Sequence, residues 1–261
     1  MLIVSDVHGA FEPLAELARG AEPVLVLGDL LNLMDYRTGD GITADLLGRD
    51  TAMRIARARA LGDFGGMRAI WAEEIGTDRD DFRRRFEQQA VSQYEEMRRV
   101  LDGTTGFATF GNVDRPDQLR DHLPAGWRFV DGEVIEVDGW RVGIVGGGIA
   151  TPLGAAGEVS DEEMTEKLGR IGPVDILCSH LPPAIRSMHF DVVTGRPERA
   201  SQPILDYIVE HQPRYHYYGD VHQPQASTWR IGATRCRNVG YFRATRRAVR
   251  HEPRSASTGA G

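Results

Sequence analysis

Five short apolar runs in this chain each end in polar residues that can bind a metal ion, and this recurrence constrains the fold most strongly. The residues that follow the runs are, in chain order, Ser5-Asp6-Val7-His8-Gly9, Gly28-Asp29, Gly111-Asn112-Val113-Asp114, Ser179-His180 and Gly219-Asp220-Val221-His222. Each run has the length of a buried strand, and glycine at its end lets the backbone turn sharply. One such end is an ordinary turn with a polar cap. Five in order predict an α/β fold with a site at the carboxyl ends of its strands.

The first of these strand ends carries two potential metal ligands. Asp6 and His8 are two residues apart, and residues at that spacing share one face of an extended chain. A carboxylate oxygen and an imidazole nitrogen that converge on one point make half of a divalent metal site. The motif therefore predicts a metal centre, to which the four later strand ends contribute the remaining ligands.

The segment between the second and third strand ends is too long for a simple strand-helix-strand crossing. It contains 82 residues, at positions 30–111. Its apolar residues recur at helical spacing, at Phe82, Phe86, Ala90, Tyr94, Met97 and Leu101. We therefore predict a helical insertion over residues 36–103, which either forms a cap or dimer contact beside the site or packs on the core as an elaboration.

Other elements follow from local signals. A helix is expected over residues 201–211, capped by Ser201, with Ile204, Leu205, Ile208 and Val209 facing inward. Asp138-Gly139 marks a hairpin turn between two strands. One domain is expected over residues 1–243, and residues 244–261, rich in Arg, Ser, Thr and Gly, are expected to be a disordered tail.

Composition indicates a globular protein of the cytoplasm. The chain has 261 residues with 41% hydrophobic and 26% charged residues, which suits one large domain or one domain with an insertion. Two cysteines form no disulfide framework, and no apolar run is long enough to span a membrane. A strand that starts at residue 2 leaves no room for a signal peptide. The net charge of −7 argues against broad nucleic-acid binding.

The ordered motifs resemble those of the calcineurin-like metallophosphoesterases, whose pattern is D-x-H, G-D, G-N-H-D/E, a lone His and G-H-x-H. The resemblance extends from residue 2 to about residue 240. Three stretches are also similar to bacterial and archaeal members described only as phosphoesterases: Gly111-Asn112-Val113-Asp114, Gly146-Gly147-Gly148 and His180-Leu181-Pro182-Pro183. The resemblance implies a four-layer α/β/β/α sandwich with a helical insertion and a binuclear metal site.

The resemblance also implies a role for each ligand. Asp6, His8 and His222 would hold one divalent ion, Asn112, His180 and Asp220 would hold a second, and Asp29 would bridge the two. The expected reaction is phosphodiester hydrolysis, in which a metal-bridging hydroxide attacks phosphorus. The expected substrate is a small phosphate ester, with nucleotide-derived or cyclic diesters as candidates.

Two residues depart from the family pattern. Val113 stands where the family has a histidine credited with protonating the leaving group, and valine cannot donate a proton. Asp220 replaces the first histidine of G-H-x-H by a carboxylate. Three carboxylates beside two divalent ions leave one net positive charge, whereas histidine at 220 would leave two. The extra oxygen ligand favours manganese, with iron, zinc and nickel as alternatives.

Three further residues are candidates for substrate binding or proton transfer. Arg115 could bind a phosphate or form a surface ion pair. Asn32 could orient a group beside the ligands or cap a turn. His189 lies in a loop that borders the site in similar proteins and could donate the proton that Val113 cannot, although a lone loop histidine is commonly incidental.

Two alternatives to a phosphodiesterase remain open from the sequence. The first is a binding or scaffold module with a degenerate site, which the changes at Val113 and Asp220 would signal. All seven ligand positions nevertheless keep a residue that can bind a metal, which a scaffold has no physical need to keep. The second alternative is a phosphomonoesterase.

Overall fold

The computed structural model describes residues 1–76, 78–151 and 154–254 and has an α/β fold, as the sequence predicts. Its strands are β1 (Leu2–Val4), β2 (Val24–Leu27), β3 (Gly106–Thr109), β4 (Trp127–Phe129), β5 (Glu133–Val137), β6 (Trp140–Val145), β7 (Gly148–Ile149), β8 (Glu158–Val159), β9 (Ile176–Ser179), β10 (Phe190–Asp191), β11 (Arg196–Pro197), β12 (Tyr215–Tyr218), β13 (Thr228–Ile231), β14 (Thr234–Asn238) and β15 (Val249–Arg250). Its helices are α1 (Phe11–Ala18), α2 (Ile42–Leu47), α3 (Arg49–Leu61), α4 (Phe64–Ile75), α5 (Arg79–Val100), α6 (Pro116–His122), α7 (Asp161–Ile171), α8 (Arg186–His189), α9 (Gln202–His211) and α10 (Phe242–Thr245).

Two larger sheets carry the fold. The five-stranded sheet has the order β15-β1-β2-β3-β4, and all its pairs are parallel except β15 with β1. The six-stranded sheet has the order β13-β14-β12-β9-β6-β5, with parallel pairs from β14 to β6 and an antiparallel strand at each edge. Because the central strands of each sheet are parallel, their carboxyl ends lie at one edge of that sheet.

The central strands β2 and β9 are buried on both faces, and their alternating side chains enter two different apolar clusters. In β2, Leu25 and Leu27 belong to a cluster that also contains Ile176 and Cys178 of β9 in the other sheet. The alternate residues of both strands belong to the second cluster, which contains the helices. Val26 is grouped there with Leu14 of α1 and Tyr94 of α5, and Leu177 of β9 with Ile204 of α9. Burial on both faces explains why these strands are continuous apolar runs.

Four helices, α2 to α5, occupy the segment between β2 and β3. The predicted apolar stripe of α5 is buried over its second half, at Ala90, Tyr94 and Met97. Phe82 and Phe86, in the first half, are only partly buried, and Phe82 contacts Trp71 of α4 through its ring. The first half of α5 therefore packs on its helical neighbour, while the second half joins the core.

The helix predicted over residues 201–211 is α9, and Ser201 caps it by accepting a hydrogen bond from the Ile204 N–H. Ile204 and Ile208 are buried as predicted, but Val209 is 58% exposed and its predicted inward orientation is wrong. Tyr207 takes the inward position instead, and its hydroxyl donates to the Gly172 carbonyl. An aromatic ring with a polar tip can donate a hydrogen bond to a partly buried carbonyl, which valine could not.

The prediction of a disordered tail from residue 244 is wrong for residues 244–254. Val249 and Arg250 form β15, which pairs antiparallel with β1, and the His251 N–H donates to the Met1 carbonyl. This strand covers an otherwise unpaired edge of β1, so backbone pairing outweighs the polar composition that suggested disorder. Residues 255–261 lie outside the described residues. Among the residues that the structure describes, no helix is long and apolar enough to cross a membrane.

Candidate metal centre

The structure brings all seven predicted ligand residues together at the strand ends. Their positions follow the parallel strands of both sheets: Asp6 and His8 after β1, Asp29 after β2, Asn112 after β3, His180 after β9, and Asp220 and His222 after β12. We call these seven residues the ligand cluster. Asp6 and Asp220 are 214 residues apart in the sequence, yet the Asp220 N–H donates to Asp6 Oδ2 at 3.1 Å.

Polar atoms of the ligand cluster form a continuous series of contacts. His222 Nε2 lies 3.2 Å from Asp6 Oδ1, which lies 3.8 Å from His8 Nε2. His8 Nε2 in turn is 3.6 Å from Asp29 Oδ2, while Asp29 Oδ1 is 3.4 Å from His180 Nε2. The two oxygens of Asp29 therefore face different histidines, as a carboxylate between two ions would.

The other two predicted ligands lie beside His180. Asn112 Oδ1 is 3.2 Å from His180 Nε2, and Asp220 Oδ1 is 3.6 Å from the same nitrogen. The Asp220 side chain thus points into the cluster, which excludes a role limited to capping a turn. Oxygen atoms from both sheets surround one imidazole nitrogen.

Backbone strain is concentrated in the ligand cluster. Asp6, His8, Asp29 and Asp220 have φ values of 58°, 40°, 55° and 64°, and they are four of the seven non-glycine residues with positive φ in the described part of the chain. The left-handed region is unfavourable for such residues and is retained where the surrounding structure imposes it. Asp6 and His8 accordingly converge through a left-handed turn after β1, not through the strand alternation that their spacing suggested.

Backbone carbonyls orient two of the histidines toward the cluster. His8 Nδ1 lies 3.0 Å from the Leu31 carbonyl oxygen, and His180 Nδ1 lies 2.8 Å from that of Leu27. A carbonyl can only accept, so each Nδ1 carries a proton and each Nε2 is the nitrogen directed at the cluster. His8 Nε2 is buried without a hydrogen-bond partner among the described residues, which is costly unless a cation binds it.

Two glycines keep the cluster open. A Cβ at Gly111 would overlap the Asp29 carboxylate and would lie 2.7 Å from His180 Cε1. A Cβ at Gly219 would overlap Ser5 and would lie 2.7 Å from Asp6 Oδ2. Only glycine allows the backbone to approach these side chains so closely.

Burial and mutual charge shift the pKa values of the two aspartates at the centre. Burial raises the pKa of Asp29, as does the charge of Asp6, and although His180 opposes them the value is about 6. Burial also works to raise the pKa of Asp6, but the hydrogen bond and charge of His222 outweigh it and lower the value to about 2. Asp6 is therefore the carboxylate that stays ionised over the whole neutral range.

The pKa values of His8 and His180 shift in opposite directions. Burial lowers the pKa of His8 to about 4, helped by the charge of His222. Burial works in the same direction on His180, but the carboxylates of Asp29 and Asp220 outweigh it and raise the pKa to about 10. His180 thus carries a proton that a metal ion must displace, whereas His8 is already neutral.

Among the described residues, two groups of Asp and His side chains have ligand atoms close enough to share one ion. They are Asp6 with His8 and His222, and Asp6 with Asp29 and His180. The first matches the predicted ligands of one ion. In the second, Asp6 joins Asp29 and His180, so the carboxylate common to both groups is that of Asp6, whereas the resemblance implied Asp29 as the shared ligand.

A cavity of about 280 Å³ opens beside the ligand cluster. Members of the cluster line it together with Val113, Gln223, Tyr241, residues in and around the β10–β11 hairpin (Asp191, Val193, Thr194 and Glu198), and residues between β2 and the end of α3. We call the last set the insertion wall: Leu33, Met34, Asp35, Tyr36, Arg37, Ala56, Arg59 and Ala60. The cavity has the size of a small-molecule site and is bounded on one side by ligands and on the other by the insertion.

The residues after Asn112 have structural roles. The Val113 N–H donates to Asp29 Oδ1 at 3.2 Å, while its side chain lines the cavity. Asp114 is fully buried and accepts hydrogen bonds from the Leu30 and Gly111 N–H groups, so it ties the β2 and β3 ends together. Burial and the charge of Asp29 raise the pKa of Asp114 to about 6.

The three predicted residues outside the ligand set do not line the cavity. Arg115 pairs with Glu87 of α5, with Nε 3.2 Å from Oε1. His189 Nδ1 lies 2.7 Å from the Glu198 carbonyl oxygen. Asn32 is buried, its N–H donates to Gln93 of α5, and its Oδ1 has no hydrogen-bond partner in the part of the chain that the structure describes. The structure therefore places Arg115 and Asn32 at the base of the insertion and His189 behind the cavity loop.

Two residues that line the cavity, Arg59 and Tyr241, belong to none of the sequence motifs. Arg59 of α3 lies over the Tyr36 ring, with 4.7 Å from Cζ to the ring centroid, and Tyr241 stacks on His222 at 3.9 Å between centroids.

One arginine supports a ligand from the far end of the chain. Asp35 binds Arg243 Nε at 2.9 Å, and Arg243 Nη1 donates to the His8 carbonyl. Arg243 lies in α10 and is 235 residues from His8. Only the tertiary fold reveals this contact, because no motif in the sequence joins the two positions.

Two solved structures share the fold of this chain. One crystal structure is similar over 92% of this chain and 90% of its own, with 14% sequence identity and a TM-score of 0.58. The crystal structure of TT1561 of Thermus thermophilus is similar over 97% of this chain and 98% of its own, with 16% identity and a TM-score of 0.53. Likeness at such identities concerns the fold alone. Neither a protein-family model nor a curated protein matches the chain.

Proposed function

We propose that this protein is a binuclear metal-dependent phosphoesterase of the calcineurin-like class, with a preference for small phosphodiesters. The observation that carries the proposal is the ligand cluster, in which seven side chains from five strand ends meet around His8, Asp29 and His180. Alternation of strand residues between an inter-sheet cluster and a helix-lined cluster supports the four-layer α/β/β/α sandwich that this class implies.

The donor set fits two divalent ions. Asp6, His8 and His222 would hold one ion, and His180, Asn112 and Asp220 the other, with the Asp29 carboxylate between them. When bound, the ions supply Lewis acidity that holds phosphate oxygens and activates water at neutral pH. A mixed set with carboxylate and amide oxygens suits manganese better than a set of imidazoles and thiolates would.

The chain's own residues shape the chemistry around the ions. The Val113 N–H and the left-handed turns hold the ligands in place, and the carbonyls of Leu27 and Leu31 fix two imidazoles. The Val113 side chain presents no acid to the cavity. A departing alkoxide would leave without a proton from this position, which favours esters with good leaving groups.

The volume of the cavity fits a small substrate, and the free cysteines fit a reducing compartment. A volume of about 280 Å³ accommodates a small ester. Cys178 and Cys236 are buried free thiols, as expected of a cytoplasmic enzyme.

The test is hydrolysis of bis(p-nitrophenyl) phosphate, p-nitrophenyl phosphate and a dialkyl phosphodiester by the manganese-loaded protein. We expect the aryl diester to be cleaved fastest, with a steep dependence of rate on the leaving-group pKa. Faster cleavage of the monoester would favour the phosphomonoesterase. Failure to cleave any ester, with both ions shown to be bound, would favour the scaffold.

A further inference from the structure

The insertion wall presents two arginines, Arg37 and Arg59, to the cavity that contains the ligand cluster, and the proposed function leaves both without a role. Arg37 is exposed, whereas Arg59 pairs with Glu198 of the opposite wall. Arg59, near the carboxyl end of α3, lines the same cavity as Asp29 and Asp220. Its side chain is 37% exposed, so the guanidinium is accessible from the cavity and still partly shielded from solvent. A guanidinium in such a position can form two parallel hydrogen bonds to a phosphate.

Contacts on two sides hold Arg59 in place. The guanidinium lies over the Tyr36 ring, and its Nη2 is 3.3 Å from Glu198 Oε2. Arg196, two residues before Glu198, donates to the Arg59 carbonyl, which joins α3 to the opposite wall of the cavity. The side chain is thus pre-organised, so little conformational entropy would be lost when it binds a ligand.

Electrostatics also connect Arg59 to the ligand cluster. Tyr36 raises the pKa of the guanidinium most, burial lowers it, and the carboxylates of Glu198 and Asp220 raise it further. The negative charge of Asp220 therefore interacts with the Arg59 guanidinium across the cavity. An anion bound between the cluster and α3 would contact positive charge on both sides.

We propose that Arg59 is a substrate-binding residue that holds an oxygen of the phosphate group of the ester and so makes the insertion part of the substrate site. This inference rests on the proposed function for the identity of the ester, but not for the binding of phosphate. It also assigns a source of positive charge to a site in which Val113 replaces a histidine and Asp220 adds a negative charge.

The first experiment measures binding of inorganic phosphate to the manganese-loaded protein by isothermal titration calorimetry. We expect R59Q to bind phosphate at least about tenfold more weakly than wild type, because a charge-assisted pair is lost. R59K, which keeps the charge but not the planar fork, should lie between them. The matched control is R54Q on the same helix, since Arg54 pairs with Glu73 and Glu74 and does not line the cavity; it should bind like wild type.

A purely structural role for Arg59 makes a different prediction. If the Arg59–Glu198 pair only joined the walls, E198Q would reproduce R59Q in every measurement. A ligand-binding role requires that E198Q keep or increase the affinity for phosphate, because it frees the guanidinium. Equal losses in R59Q and E198Q would overturn the inference.

Kinetics separate this inference from the proposed function. If esters are hydrolysed, R59Q should lower kcat/KM by about 100-fold and steepen the dependence on leaving-group pKa. If no ester is cleaved but phosphate affinity still depends on Arg59, the proposed function fails and the binding site stands. Unchanged phosphate affinity in R59Q, or no phosphate binding by the wild type, overturns the inference whatever the activity.

Discussion

The ligand cluster and the insertion wall face each other across one cavity, but they are built in different ways. Every member of the cluster lies within four residues of a strand end, and four of the seven have a strained backbone. The insertion wall comes from a loop and a helix, and its Tyr36 is 42% exposed. The sheets thus fix the groups that could bind metal, while a segment outside the sheets forms the opposite wall of the cavity that a substrate would contact.

The largest effect is expected at Asp29, whose carboxylate lies between His8 and His180. Asp29→Asn keeps the volume but removes the charge that faces both His8 and His180. Metal content should fall from two ions to one or none, and any hydrolytic activity should drop at least about 100-fold. Metal analysis after dialysis measures the first effect. Asp45→Asn, on the exposed side of α2, is the control and should retain both ions; full metal content in Asp29→Asn would contradict the bridging role.

The next effect is on the pH dependence of metal binding. His180 has a raised pKa of about 10, so it is protonated in the metal-free protein at pH 8 and must lose that proton to bind an ion. Affinity should therefore rise by about tenfold per pH unit between about pH 7 and 8.5, with about one proton released per chain. Calorimetry in two buffers of different ionisation enthalpy counts the protons. Affinity that is independent of pH in this range would show that His180 is not displaced.

Asp220 tests how far the cluster tolerates a change of charge. Asp220→Ala should weaken the ion at His180 and leave the ion at His222 in place, because only the side chain, and not the N–H bonded to Asp6, is lost. Asp220→His should shift the preference from manganese toward zinc by about tenfold, since nitrogen replaces oxygen. Competition between the two metals measures the shift. Wild-type metal content and preference in both variants would remove Asp220 from the ligand set.

The smallest effect is expected outside both regions. His189 does not line the cavity, and its Nδ1 is engaged with the Glu198 carbonyl. His189→Ala should therefore leave phosphate affinity and any activity within about threefold of wild type, while it lowers the free energy of unfolding by about 1 kcal/mol through loss of that hydrogen bond. Chemical denaturation and steady-state rates measure the two quantities. A large loss of rate without a loss of stability would restore His189 as the proton donor.

The sequence was most informative where function depends on residues next to strand ends. Asp6, Asp29 and His180 each follow an apolar run, and the topology of parallel strands brings such ends to one edge. The convergence of Asp6 with His8 was predicted correctly but for the wrong geometric reason, because the left-handed φ values of both residues cannot be read from a polar turn motif.

Long-range pairing explains what the sequence did not reveal. Arg59 reaches the cavity from α3, and Arg243 supports His8 from the far end of the chain, although neither belongs to a motif. The pairing of β15 with β1 was missed because it depends on an open sheet edge at the other end of the chain and not on local composition. Arg115 shows the reverse case, since its position beside a motif suggested a role that its pair with Glu87 does not support.

The most direct test of the central claim is anomalous diffraction from crystals grown with manganese. The ligand cluster predicts two anomalous peaks per chain, one bounded by Asp6, His8 and His222 and the other by His180, Asn112 and Asp220, with the Asp29 carboxylate contacting both. A single peak, no peak, or peaks held by residues outside the cluster would contradict a binuclear centre at these strand ends.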